Sequence, residues 1–150
     1  MRLGLLALLV ITPLLQAGDT GSRVQYVGGT VAGIHQKSQG RIEVSGSDAL
    51  SLTLDGSSIA VPYRDVNTIE YGLHVSRRYV EAILISPMFL LAKKRSHFLT
   101  IGFTDQGGQQ QAVVLHVGSG DIRALLVSLE AKTGRRVEYQ DEDARRAGKG

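Results

Sequence analysis

The side chains able to carry chemistry are few, and their spacing argues against most of it. Histidine occurs four times, at His35, His74, His97 and His116. No two stand in an HxH or HxxxH spacing, the arrangements that put two imidazoles on one strand or helix face for a metal. His97 and His116 fall on neighbouring candidate strands, and the apolar alternation there puts them on opposite faces. There is no cysteine, which excludes disulfides, thiolate catalysis, cysteine zinc sites and a lipidated cysteine. The chain has no GxSxG nucleophile elbow, no GxxxxGK[ST] loop and no GxGxxG. Gly107-Gly108 and Gly118-Ser119-Gly120 therefore read as turns. The acidic residues are scattered, with no carboxylate pair set up for acid–base work. The reading is a non-enzymatic protein with no catalytic residues, no metal and no cofactor.

One stretch has unusual physical chemistry. Residues 82–92 are almost wholly apolar and run into three cations, Lys93, Lys94 and Arg95. As a helix it would be about 16 Å long at ~1.5 Å per residue, roughly half of the ~30 Å apolar slab of a bilayer. Pro87 falls near its middle and would kink or divide it. Three readings stay open. It is an inserted core helix with a solvated cationic end. It is a surface for a protein partner. Or it is a membrane-surface contact, in which apolar side chains insert and the cations meet anionic headgroups. The candidate contact residues are Ile83, Ile85, Met88, Phe89, Leu90, Lys93, Lys94 and Arg95.

The elements around that stretch are mostly strands. Leu50, Leu52 and Leu54 alternate with Ser51, Thr53 and Asp55, and Asp55-Gly56 is a hairpin signal. Ile42 and Val44 alternate with polar residues before them, and Ile59, Val61 and Tyr63 follow. Pro62 marks an edge or a strand end. Val66, Ile69 and Tyr71 form a further short strand. The first strand, from Val24 to about Ile34, is interrupted by Gly28, Gly29 and Gly33 and is expected to bend or bulge. Leu99, Ile101 and Phe103 share a face with Val113, Leu115 and Val117 if a three-residue loop, Gln106-Gly107-Gly108, joins them. That apolar face needs a cover. Ile122, Leu125, Leu126 and Leu129 supply it as a helical stripe, with Ser119 or Asp121 as cap and Gly134 as stop.

The sum is an α+β, mainly β fold. It is a seven-stranded antiparallel barrel or sandwich capped by a C-terminal α-helix, with an apolar helical insert before the sixth strand. One domain is the default for 150 residues. The formal charge of +3, or +2 once Arg2 is removed with the first seventeen residues, is not a nucleic-acid-binding balance. Residues 1–17 read as a cleaved signal peptide, with Arg2 before an apolar run and small residues at the cut. This implies a bacterial periplasmic or secreted protein. A linker follows at 18–23, the domain at 24–139 and a flexible charged tail at 140–150.

Seven strands and a helix in this order resemble the pleckstrin-homology-like superfold and its GRAM-type relatives. The residues Ile59-Ala60-Val61-Pro62-Tyr63-Arg64-Asp65-Val66-Asn67-Thr68-Ile69-Glu70-Tyr71 are similar to the fourth and fifth strands of such domains. Lys93-Lys94-Arg95-Ser96-His97-Phe98-Leu99-Thr100-Ile101 and Leu129-Glu130-Ala131-Lys132-Thr133-Gly134 also resemble a group of small secreted bacterial proteins. The resemblance implies the fold and leaves the function open. Phosphoinositide-binding members carry a basic run at the first hairpin. Here that region has only Lys37 and Arg41, with Glu43 beside them, so this ligand site is not carried over. The expected role is binding or scaffolding at the bacterial envelope, through 83–95 or an exposed sheet edge. A structural subunit of a homo-oligomer and a small-ligand carrier are the alternatives.

Overall fold

A computed structural model describes residues 21–75, 84–85 and 96–149. The signal peptide expected at 1–17 lies outside them. In chain order the strands are β1 (Ser22–Gly29), β2 (Gln39–Glu43), β3 (Ala49–Leu54), β4 (Ser57–Pro62), β5 (Val66–Gly72), β6 (Leu84–Ile85), β7 (His97–Thr104), β8 (Gln110–Val117) and β9 (Glu138–Tyr139). The helices are α1 (Ile122–Thr133) and α2 (Glu142–Lys149), and a 3₁₀ turn spans Tyr63–Asp65. The strands form one sheet in the order β4-β3-β2-β1-β8-β7-β5-β9, and β6 pairs with β1 off this path. All pairings are antiparallel except that of β5 with β9.

The expected seven-stranded barrel is therefore corrected to an open, mixed sheet. Seven longer strands stand near the expected positions, and the two-residue strands β6 and β9 are additional. Closure would require β4 to bond to β5. After Pro62, which has no N–H to offer a ladder, the chain turns through the 3₁₀ segment instead. The outer edge of β5 is taken by β9, with Tyr71 opposite Tyr139 and Glu70 opposite Glu138.

Local expectations explain why the long strands form. Asp55 and Gly56 both adopt left-handed φ, 43° and 85°, and close the two-residue turn between Leu54 and Ser57. Leu50, Leu52 and Leu54 are all buried. Gly108 takes φ 76° in the loop joining β7 to β8, where Leu99 pairs with Leu115 and Ile101 with Val113. The register of β1 against β8 shifts between Tyr26 and Gly28, so the glycine-marked bulge is real. The strand stops at Gly29, short of the expected Ile34.

The helix α1 covers the concave face. Ile122, Leu125, Leu126 and Leu129 are buried in one cluster with Leu50, Leu52, Ile69, Leu99, Ile101 and Leu115. Removing those four helix side chains from water contributes roughly 6–12 kcal/mol as an upper, gross figure. Gly134 ends the helix at φ 69°. The expected side-chain cap is absent at Asp121. The first turn is held by backbone bonds to the Gly118 carbonyl, from Asp121 N–H at 3.1 Å and Ile122 N–H at 3.2 Å. The opposite face of the sheet is not polar either. Val27, Phe98, Ala112 and Val114 form a second buried cluster with Val75 against it.

Two further expectations are corrected. The helical insert is not a helix at Leu84 and Ile85. These residues pair as β6 with Gly29 and Gly28, where β2 has already left the β1 edge after Gln25. The tail expected to be flexible at 140–150 instead forms α2 through Lys149. Asp141 caps it, its carboxylate accepting the Ala144 N–H at 2.7 Å, and Glu142 lies 3.6 Å from Arg145 and 3.8 Å from Arg146. Those exposed pairs add little. What docks the helix is its small-residue face: Ala144 and Gly148 are buried, and Ala147 packs on the core.

Gly148 is glycine because two aromatic rings approach it. A Cβ there would stand 2.6 Å from Tyr139 and 3.1 Å from the fully buried Tyr71 ring. Gly148→Leu is expected to cost about 1–3 kcal/mol by overpacking and to lower Tm in thermal melts. Gly120→Ala, which meets nothing within 4 Å, is expected to leave Tm near wild type.

Candidate functional site

The titratable groups serve packing. His97 stands on the concave side, its Nδ1 2.5 Å from the Tyr71 hydroxyl and its ring stacked on that of Tyr71 at 5.9 Å. Burial, then the nearby His116 and Arg123, pushes the His97 pKa down. Burial, with Tyr139 adding to it, pushes Tyr71 up to about 12. Both groups are thus neutral at ordinary pH. His116 lies on the far face, edge-on to Phe98 at 5.8 Å, and burial lowers its pKa too. The two imidazoles are on opposite faces as the alternation requires. His35 and His74 are exposed. Among the described residues no group of three His, Asp or Glu side chains is placed to hold a metal.

A polar latch on the far face joins the C-terminal segment to the sheet. Gln140 donates its side-chain amide to Glu70 Oε1 at 3.1 Å and to the His74 carbonyl at 3.0 Å, and its backbone N–H bonds the Tyr71 carbonyl at 3.1 Å. Tyr139 contacts Tyr71 edge-on, and Arg145 and Lys149 lie over the Tyr139 ring. The β5 end of the sheet is sealed by the chain itself.

The β4 end is different. Among the described residues β4 has one strand neighbour, β3. The two-residue turn makes Leu54 and Ser57 a hydrogen-bonded pair, so Ser57, Ile59 and Val61 bond inward to β3. The bond from Tyr63 N–H to the Asp48 carbonyl, 2.9 Å, continues the same alternation. The backbone groups of Ser58 and Ala60 therefore point away from the sheet, and both residues are exposed. Beside this edge lies an open cleft of about 380 Å³, lined by Val31, Ile59, Val61, Phe103, Asp105 and Gln111. Asp105 accepts from the Gln111 amide and from the N–H groups of Gln109 and Gly107, which hold its carboxyl below the usual range.

Of the contact residues expected from the sequence, only Ile85 is among those described; it stands in β6 opposite Gly28. Ile83, Met88, Phe89, Leu90, Lys93, Lys94 and Arg95 lie outside them. No helix among the described residues is long and apolar enough to cross a membrane. The sequence marked β4 as an edge through Pro62. It did not reveal the neighbouring cleft, because Val31 and Phe103 reach Ile59 only through the curvature of the sheet. Comparison with protein-family models and with curated proteins finds no match to this chain.

The half-buried His97 and His116 set an acid limit on stability. Each has a folded pKa below the unfolded value of about 6.5, so the unfolded state binds protons first as pH falls. Their contribution is fully present above about pH 6.5 and declines as pH drops from there toward the folded values. Denaturation free energy measured from pH 7.5 to 5 is expected to fall. The double variant His97→Gln/His116→Gln is expected to show a flatter profile, whatever its absolute stability.

Proposed function

We propose that this protein is an exported, non-enzymatic binding module of the bacterial envelope, and that it works by accepting an extended segment of another polypeptide at strand β4. The carrying observation is the unequal treatment of the two sheet ends. The β5 end is paired by β9 and packed by α2. The β4 end offers outward backbone groups at Ser58 and Ala60 beside an apolar cleft. Edges without a partner are ordinarily blunted by charge, proline or brevity, because they template further pairing. Residues 57–61 carry no charge, and Pro62 comes only at the end. Strand addition takes affinity from main-chain bonds and selectivity from alternate side-chain pockets, and the Ile59–Val61–Phe103 cleft is such a pocket.

Export is supported by the apolar run at 1–17. The non-enzymatic reading is supported by the engagement of His97 and His116 in ring contacts. Descent from the pleckstrin-homology-like superfold is supported by the order of seven longer strands followed by α1. A carrier would need a chamber, whereas Leu50, Leu52, Ile69, Leu99 and Leu115, each 2 % exposed or less, fill the space under α1.

A photo-reactive amino acid at Ser58, in cells exporting the full chain, is expected to crosslink to another polypeptide. The same group at Thr53, exposed on β3 but not at the edge, should not. Ala60→Pro removes one outward N–H and leaves the bonds to β3 in place; it is expected to abolish the Ser58 crosslink. Equal crosslinking from Ser58 and Thr53, or none from Ser58, contradicts the proposal.

A further inference from the structure

We infer that the occupant of the β4 edge is a second copy of this chain, paired antiparallel about a two-fold axis through Ile59; the inference rests on the acceptor-edge reading above. A two-fold pairing brings each residue of the strand opposite a residue of its own copy, so a self-pairing strand must tolerate itself. Residues 57–61, Ser-Ser-Ile-Ala-Val, bring no like charges together.

Backbone geometry selects the register. Ser58 and Ala60 hold the outward donors and acceptors. With Ile59 on the axis, Ser58 faces the partner's Ala60 and Ala60 faces the partner's Ser58, so both exchange their N–H and C=O bonds. Moving the axis to Ala60 would set Ser58 opposite the partner's Pro62, which has no N–H, and would lose bonds at both ends. The Ile59 register leaves Pro62 outside the bonded pairs.

Side chains agree with this register. Ile59 and Val61 lie on the core-facing side, with Ile59 half-buried and packed on the main cluster. Two Ile59 side chains would meet at the axis and extend the apolar cleft across the junction. An edge this short buries modest area, so the association is expected to depend on concentration.

Absence of native cysteine makes the test clean. Residues facing each other in a pair that is not hydrogen-bonded have Cα atoms about 4.5 Å apart, within the roughly 4.4–6.8 Å span of a disulfide. Sedimentation equilibrium of the purified exported chain is expected to show mass rising from one chain to two with concentration. Mild oxidation should convert Ile59→Cys to a covalent dimer, while Thr53→Cys stays a single chain. Ala60→Pro should hold the mass at one chain. A single-chain mass at every concentration, or a dimer indifferent to Ala60→Pro, overturns the inference. The two proposals fail separately. A chain that stays monomeric but crosslinks from Ser58 to a different polypeptide overturns only self-pairing. A chain with neither dimer nor crosslink overturns the acceptor edge as well.

Discussion

Strand β1 is the element on which the other pairings depend. It bonds to β8 along one side and to β2 and then β6 along the other. It can serve three neighbours because its register shifts at the bulge between Tyr26 and Gly28, which bends the strand and increases its twist. The N-terminal run β2-β3-β4 and the C-terminal run β8-β7-β5 are thus two wings joined at one strand. Both wings curve over the same helix, since their inward residues share one cluster with α1. A sheet built this way has two ends and must either close them or leave them.

The chain treats those ends by different physics. At β5 it returns after α1 to add β9, latches Gln140 onto Glu70 and the His74 carbonyl, and seats Ala144 and Gly148 against the core. Aromatic groups there are held neutral by burial, so the packing of Tyr71 on His97 and Tyr139 carries no buried charge at neutral pH. At β4 the chain turns away through Tyr63–Asp65. The result, among the described residues, is a sheet whose β5 end is paired by the chain itself and whose β4 end has no further strand.

Much of the scaffold was legible in the sequence because the signals were local. Period-two leucines in β3, the Asp55-Gly56 turn, the β7–β8 parity and the helical stripe of α1 each depend on a few neighbouring residues. Other features were hidden because their causes are long-range. A two-residue strand such as β6 has no periodicity to detect; it exists because β2 leaves part of the β1 edge free. The far-face cluster of Val27, Phe98, Ala112 and Val114 was not evident because Thr100, Gly102 and His116 are interleaved with it in the sequence. The α2 helix looked like a charged tail because its buried face is only alanine and glycine, residues that score as neither core nor loop. Its one readable signal was Asp141, a helix cap three residues before Ala144. Openness at β4 was legible only as Pro62, since closure is a property of the whole sheet.

Amide hydrogen exchange at Ser58 and Ala60, followed from dilute to concentrated protein, tests the central claim most directly. Both amides are expected to exchange fast in dilute solution while Ile59 and Val61, bonded to β3, remain protected. On association Ser58 and Ala60 should become protected together. Protection of both at the dilution limit would mean that the edge is already satisfied within a single chain, and would contradict the account.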